Sequence, residues 1–222
     1  MPPLLVVFDA PGYHRRRSWS RPGRVVACDP VTPPVYIVSG LPRSGTSMMM
    51  RMLAAGGLPV LTDEVREADS DNPRGYFELE AVKGSAKDAS WVRQAPGKAV
   101  KVISYLLRSL PADLEYRVVF MRRSLDQVVR SQRVMLERLG QPVEQTDEEA
   151  REQLSNHVVD VEAWLDTATH VRRLGVAYER VLADPRPQAE RIAAFLGPDL
   201  GDLQLDVDAM VRAVEPALQR QR

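Results

Sequence analysis

The stretch that decides the fold runs from Val35 to Ser47, with the sequence VYIVSGLPRSGTS, and continues as MMMRML over residues 48–53. Its first half is apolar, as in a buried strand, and its end has the small and apolar residues of a helix start. Gly40 and Gly45 bracket the turn between them. Because backbone N–H groups and the positive end of a helix dipole converge at such a turn, the stretch predicts a strand, loop and helix that bind a phosphate group.

The loop departs from the nucleotide-triphosphate pattern GxxxxGK[ST] at one position. Thr46 stands where that pattern has the lysine that contacts a γ-phosphate. The loop's cation comes earlier, at Arg43, which favours a nucleotide that ends in a different group. A small-molecule kinase with a degenerate loop is the alternative, although no strand ends in a convincing Walker B aspartate.

Residues 42–47, PRSGTS, resemble the 5′-phosphosulfate loop of sulfotransferases, which is roughly Pro-Lys/Arg-Ser-Gly-Thr-Thr/Ser after an apolar strand. That family transfers the sulfuryl group of 3′-phosphoadenosine 5′-phosphosulfate (PAPS) to a hydroxyl or an amine. The resemblance implies that Arg43 neutralises charge on the bridging oxygen as the S–O bond breaks. It also implies that PAPS is bound by Arg43, Ser44, Gly45, Thr46 and Ser47.

A second segment, residues 116–132, resembles the part of sulfotransferases that binds the 3′-phosphate. An apolar strand ends at Arg122 and Arg123, and Ser131 follows eight residues after Arg123 in a predicted helix. The resemblance implies that Arg123 and Ser131 hold the 3′-phosphate, with Arg122 competing for the arginine's role. A guanidinium suits this task because it offers two parallel donors to phosphate oxygens. The chain departs from the family at residues 124–125, Ser-Leu, where aspartate and proline are frequent.

A third segment, residues 175–185 with the sequence GVAYERVLADP, resembles a late strand of sulfotransferases and their Tyr-Glu-Asp-Leu-x-x-x-Pro motif. The match implies that Tyr178 lies near the adenine. Together the three segments extend over about residues 34–200, in the family's order.

The histidine that serves cytosolic sulfotransferases as the base is absent. In those proteins it ends a Lys-Thr-His sequence, whereas residues 98–103 here keep the lysine as Lys101 and have Ile103 in the histidine's place. Lys101 either contacts the cofactor near the sulfuryl group or extends its ammonium towards solvent from the end of a strand. His157 flanks the apolar stripe of a predicted helix, so we expect it to be structural.

A glutamate is the predicted base. Sulfotransferases that act on carbohydrates use a glutamate downstream of the phosphosulfate loop, and Glu78 lies in a comparable place, after Tyr76 and Phe77. A carboxylate that aromatic side chains shield from water accepts a proton more readily. Glu80 is the alternative base.

Composition limits the partners and the cofactors. The 222 residues carry 30 Lys and Arg against 30 Asp and Glu, so no global charge favours nucleic acid or an anionic membrane. Cys28 is the only cysteine, which excludes an intramolecular disulfide and a cysteine metal cluster. We therefore expect no metal and a cytoplasmic location. No stretch approaches the roughly 18 apolar residues of a membrane span.

The order of elements predicts one α/β domain. Expected strands lie at residues 35–39, 99–103, 116–121 and 175–178, and expected helices at 46–56, 125–138, 148–173 and 186–196. Such alternation predicts a three-layer α/β/α fold with a central parallel sheet, similar to P-loop nucleotide hydrolases, and a ligand at the carboxyl ends of the strands.

Domain limits and function complete the expectations. Residues 1–32, rich in proline and arginine, are expected to form a poorly ordered extension, and residues 33–222 a single domain that closes with a helix in 206–222. The expected activity is PAPS-dependent sulfuryl transfer to a small-molecule or carbohydrate acceptor. A small-molecule kinase and a non-catalytic nucleotide-binding module are the alternatives.

Overall fold

The computed structural model describes residues 32–63 and 77–214. Within them four strands form one sheet in the order β2-β1-β3-β4, and all neighbours are parallel. The strands are β1 (Val35–Gly40), β2 (Ala99–Lys101), β3 (Tyr116–Arg122) and β4 (Val171–Ala177). The predicted parallel sheet is confirmed, and its two central strands are the ones that lead into the two predicted phosphate-binding segments.

Helices follow the strands as a parallel sheet requires. The α-helices are α1 (Thr46–Ala55), α2 (Glu80–Lys83), α3 (Leu125–Arg138), α4 (Asp147–Thr167), α5 (Tyr178–Ala183), α6 (Pro185–Leu196) and α7 (Val207–Arg212). Short 3₁₀ helices lie at Ser90–Gln94, Ser104–Ser109 and Gly197–Asp199.

The two faces of the sheet carry separate apolar cores. Alternate side chains of β1 point to opposite faces, so Tyr36 and Val38 join one core, while Val35 and Ile37 join the other. The first core is completed by α1, α6 and α7, and the second by the carboxyl half of α4 and the 3₁₀ helices before β3. Helices on both faces confirm the predicted three-layer architecture.

A buried ion pair ties β3 to the segment after α6. Arg117 donates to both carboxylate oxygens of Asp199, at 2.6 and 2.9 Å. The Tyr36 hydroxyl donates to the backbone carbonyl of Asp199 at 2.7 Å. Burial raises the pKa of Tyr36 to about 12, so the hydroxyl keeps its proton for this bond.

Several of the predicted boundaries are wrong, and the strand expected at 99–103 ends at Lys101. The helix expected over residues 148–173 ends at Thr167, and residues 171–173 belong to β4. The strand expected at 175–178 gives way to α5 at Tyr178. The chain turns at Ala168. The Ala168 amide donates the last hydrogen bond of α4, to the Trp164 carbonyl, and the Ala168 carbonyl accepts from the Val171 amide at the start of β4. No glycine or proline marks this turn in the sequence.

Three expectations concern residues that the structure does not describe in full. Residues 1–31 of the expected extension lie outside the described residues. So do residues 64–76, which include the Tyr76 expected to shield Glu78, and residues 215–222 at the end of the expected closing helix, of which α7 is the described part. The division at residue 32 stays a prediction.

Candidate active site

The loop between β1 and α1 has the backbone geometry of an anion cradle. We call residues 40–45, from the last residue of β1 to the cap of α1, the phosphate loop after its predicted ligand. Three of its residues have positive φ, namely Gly40 at 147°, Arg43 at 73° and Gly45 at 95°. Gly45 caps α1 in the left-handed conformation, and the first turn of α1 contains no acidic residue. Amide groups at this helix start therefore meet an incoming anion without a competing carboxylate.

A buried hydroxyl in the loop has no protein partner. Ser44 Oγ makes no hydrogen bond within the described part of the chain, although Ser44 is only 1% exposed. Thr46 is also buried, and Ser47 is half-buried. A polar atom that has lost water and found no partner favours a ligand that can accept from it. The loop thus fits a phosphate or sulfate oxygen.

Arg43 joins the loop to the segment predicted to hold the 3′-phosphate. Its Nε donates to Ser131 Oγ at 3.0 Å, although the two residues lie 88 positions apart. Its carbonyl oxygen accepts from Arg123 Nη1 at 2.8 Å. The structure therefore brings Arg43, Arg123 and Ser131 together, which sequence spacing alone did not predict.

Tyr178 lies between the loop and Arg123. The Arg123 guanidinium carbon is 4.5 Å from the centre of the Tyr178 ring, within cation–π range. On the loop side, a Cβ placed on Gly45 would come within 2.4 Å of the ring. Burial lowers the pKa of Arg123 and raises that of Tyr178. Tyr178 thus packs directly on the phosphate loop, and its predicted contact with adenine stays a prediction.

The structure separates the two candidate arginines. Arg122 turns to α4, where its Nε and Nη2 donate to the Glu162 carboxylate at 2.7 and 2.6 Å. Arg123 turns to the loop and also donates from Nε to Gln127 Oε1 at 3.0 Å. Of the pair, Arg123 is the one next to the phosphate loop.

Lys101 and Glu78 form a largely buried ion pair at the end of β2. Lys101 Nζ donates to Glu78 Oε1 at 3.0 Å, with side chains 7% and 20% exposed. Lys101 lies opposite Val38 of β1, two residues before the loop begins at Gly40. Its ammonium therefore contacts a carboxylate instead of extending into solvent.

The backbone around Glu78 has an unusual conformation that places its side chain against Lys101. Phe77, just before it, has a φ of 50°, which is unfavourable for a residue with a side chain. The Glu78 carbonyl accepts from Thr62 Oγ1 at 2.7 Å. Glu80, the alternative base, has a 57% exposed side chain that pairs with Lys83. Burial and the contact with Lys101 therefore distinguish Glu78 from the exposed Glu80.

A second polar pair joins the segment after β2 to α4. Ser104 Oγ and His157 Nε2 are 2.9 Å apart, and the His157 ring stacks on Tyr105 with centroids 3.7 Å apart. Burial lowers the pKa of His157 to about 4, with a contribution from Arg108 that Asp160 opposes. The ring is thus neutral at pH 7. These contacts agree with the structural role expected for it.

A model of the sulfotransferase family matches residues 77–202 of the chain. The chain belongs to this family. The matched range contains Glu78, Lys101, Arg123, Ser131 and Tyr178, whereas the phosphate loop lies before it. The loop and the family match therefore support the predicted relationship from different parts of the chain.

Two solved structures of sulfotransferase domains resemble the chain more distantly. One is the domain from the Synechococcus PCC 7002 olefin synthase, with 19% identity, 90% of this chain and 82% of that chain covered, and a TM-score of 0.48. The other is the domain from the curacin biosynthetic pathway, with 16% identity, 84% and 89% covered, and a TM-score of 0.43. A search of curated proteins finds no match.

The described residues contain neither a membrane-spanning helix nor a metal-binding cluster. None of the helices in residues 32–63 and 77–214 is long and apolar enough to cross a membrane. In the same ranges, no group of three His, Cys, Asp or Glu side chains is arranged to hold a metal ion.

Several residues around the site were not predicted. Gln127 fixes Arg123, and Gln132 Nε2 donates to the Pro42 carbonyl at 3.4 Å. Glu179 Oε1 accepts from the Ser124 amide at the start of α3 at 3.0 Å. The only signal in the sequence was proximity, since all three residues are within four positions of a predicted site residue.

Proposed function

We propose that the protein transfers the sulfuryl group of PAPS to a hydroxyl or amine of a small-molecule or carbohydrate acceptor. One observation carries the proposal: Arg43, Arg123 and Ser131 converge at the carboxyl ends of the two central strands, around a loop shaped for an anion. A nucleotide with phosphate groups on both its 5′ and 3′ sides suits such paired cationic groups. The family match supports the same donor.

The residues present fit PAPS. The buried Ser44 hydroxyl without a protein partner and the amides at the start of α1 suit the 5′-phosphosulfate. Thr46 and Ser47 add hydroxyl groups, and Arg123 with Ser131 would hold the 3′-phosphate. When bound, PAPS supplies an activated sulfuryl group whose departure leaves adenosine 3′,5′-bisphosphate.

Three side chains would carry the chemistry. Glu78 would remove the acceptor's proton: its carboxylate takes up that proton, which leaves the acceptor atom nucleophilic. Lys101, already bound to Glu78, fixes that carboxylate and adds positive charge next to β1. Arg43 would stabilise negative charge that develops on the leaving phosphate oxygen. In-line transfer needs positioning and charge stabilisation above all.

Nucleotide binding gives the first test. We expect adenosine 3′,5′-bisphosphate to raise the melting temperature in a thermal-shift titration, because a ligand that binds only the folded state stabilises it. ATP with Mg²⁺ should have a smaller effect. A response to ATP alone would overturn the proposal in favour of a kinase.

Transfer gives the second test. The protein is incubated with ³⁵S-labelled PAPS and a mixture of sugars, phenols, alcohols and amines, and the label is followed into organic products. Label in an acceptor supports the proposal. Binding of adenosine 3′,5′-bisphosphate without any transfer, across acceptors of all these classes, would instead indicate a non-catalytic nucleotide-binding module.

A further inference from the structure

The backbone of Arg43 is in an unfavourable conformation. Its φ of 73° lies in the left-handed region, which is unfavourable for a residue with a side chain. Such conformations persist where surrounding contacts impose them. The loop must therefore be held from outside.

The contacts that hold it come from Arg123, which directly follows β3, and from α3. Arg123 donates to the Arg43 carbonyl at 2.8 Å, and Gln132 donates to the neighbouring Pro42 carbonyl at 3.4 Å. Ser131 accepts from the Arg43 side chain at 3.0 Å. Of the two carbonyl contacts, the one from Arg123 is shorter and comes from a charged donor, which makes it the stronger.

Arg123 is itself fixed from two directions. Its Nε donates to Gln127, and its guanidinium lies over the Tyr178 ring, which in turn packs on Gly45. A guanidinium held in this way presents Nη1 to the Arg43 carbonyl in a defined direction. A lysine offers no planar fork and cannot reproduce all of these contacts.

We propose that Arg123 is a positioning residue that maintains the 5′ loop by holding the Arg43 carbonyl, in addition to any contact it makes with a 3′-phosphate. The choice of nucleotides for its test rests on the proposed function. Removal of Arg123 would then weaken the binding of nucleotides that carry no 3′-phosphate at all.

The first test compares two nucleotides by isothermal titration calorimetry. Adenosine 3′,5′-bisphosphate and adenosine 5′-monophosphate share the 5′-phosphate, and only the first carries a 3′-phosphate. We expect Arg123→Ala to weaken binding of the monophosphate about tenfold, as for loss of one charged hydrogen bond, and of the bisphosphate further. Unchanged affinity for the monophosphate would overturn the proposal. Arg122→Ala, which removes a guanidinium that faces Glu162, is the matched control and should change neither affinity.

The second test needs no nucleotide. The Ser44 amide donates to the Leu41 carbonyl at 3.1 Å within the loop, so its hydrogen exchange in the ligand-free protein reports loop geometry. We expect about tenfold faster exchange in Arg123→Ala and in Arg123→Lys, and no change in Arg122→Ala. Unchanged exchange in Arg123→Ala would contradict the proposal.

A milder variant covers the case in which Arg123→Ala does not fold. Gln127→Ala removes only one of the contacts that orient Arg123, and it should accelerate Ser44 exchange by a smaller factor. If the wild-type protein binds neither nucleotide, the proposed function fails, while the exchange measurements still decide the role of Arg123.

Discussion

Lys101 Nζ and Glu78 Oε1 are 3.0 Å apart in a nearly buried ion pair beside the strand that leads into the phosphate loop. This contact gives the carboxylate a fixed position. Glu80, two residues later, has no such position, since its side chain is exposed and pairs with Lys83.

Replacement of Glu78 should therefore separate transfer from binding. We expect Glu78→Gln to lower kcat for sulfuryl transfer by about 10²–10⁴-fold, because a general base is lost while shape is kept. The affinity for adenosine 3′,5′-bisphosphate should change little in calorimetry. Glu80→Gln is the matched control with near wild-type kcat. Full turnover in Glu78→Gln with a loss in Glu80→Gln would assign the base to Glu80.

Gly45 should tolerate no side chain. An added Cβ would meet the Tyr178 ring at 2.4 Å, and the φ of 95° is unfavourable for any other residue. We expect Gly45→Ala to lower the free energy of unfolding by about 2–3 kcal/mol, measured by urea denaturation. It should also abolish nucleotide binding.

A second glycine isolates the steric part of that effect. Gly57 has nearly the same φ, 94°, but a Cβ there would meet nothing within 4 Å. Gly57→Ala should therefore cost only about 1 kcal/mol, from the backbone conformation alone. Equal losses in the two variants would show that Tyr178 does not press on the loop.

His157 should make the protein less stable in mild acid. Its pKa is about 4 in the folded state against 6.5 ordinarily, so the unfolded chain binds more protons between these values. Stability must then fall as pH decreases from about 6.5 towards 4. After allowance for partial solvent screening, we expect a contribution of about 1–2 kcal/mol.

Urea denaturation at pH 7.5 and pH 5 measures this effect. His157→Gln keeps a side-chain amide near Ser104 but does not titrate, so its stability should fall less than that of the wild type between the two pH values. Identical pH dependence in wild type and His157→Gln would contradict the shift.

The Arg117–Asp199 pair should be important for stability and not for chemistry. Asp199→Ala leaves the buried Arg117 without the carboxylate that accepts two of its hydrogen bonds, and such losses cost about 3–5 kcal/mol. We expect the midpoint of urea denaturation to fall. At urea concentrations where the variant is still folded, its affinity for adenosine 3′,5′-bisphosphate should be unchanged. Asp202→Ala, at an exposed position shortly after Asp199, should have little effect.

Sequence predicted the parts of the fold that local patterns specify. β1, the loop and α1 follow from an apolar run, two glycines and a helix start, and α3 was predicted with its observed limits at Leu125 and Arg138. The end of α4 was wrong because the turn at Ala168 contains no glycine or proline, so helical periodicity gave no reason to stop.

Sequence predicted individual residues for the candidate site and not the contacts between them. Loop spacing and family resemblance pointed to Arg43, Arg123 and Ser131 individually, but the bond from Arg43 to Ser131 joins segments that no local pattern relates. The same holds for Lys101 with Glu78, because the pairing depends on how residues 77–79 pass the end of β2. The partners of these side chains can be identified only from the tertiary structure.

The separation between Arg43 and its partners has a consequence for the order of folding. Arg123 and Ser131 lie 80 and 88 residues after Arg43, and closing loops of that length costs entropy and slows folding. During synthesis, a chain that ends before Arg123 contains the glycines of the loop but neither Arg123 nor Ser131, which contact Arg43. The ability to bind a nucleotide should thus arise late, after β1 and β3 have paired and α3 has docked. A bound nucleotide would report that the chain has finished folding.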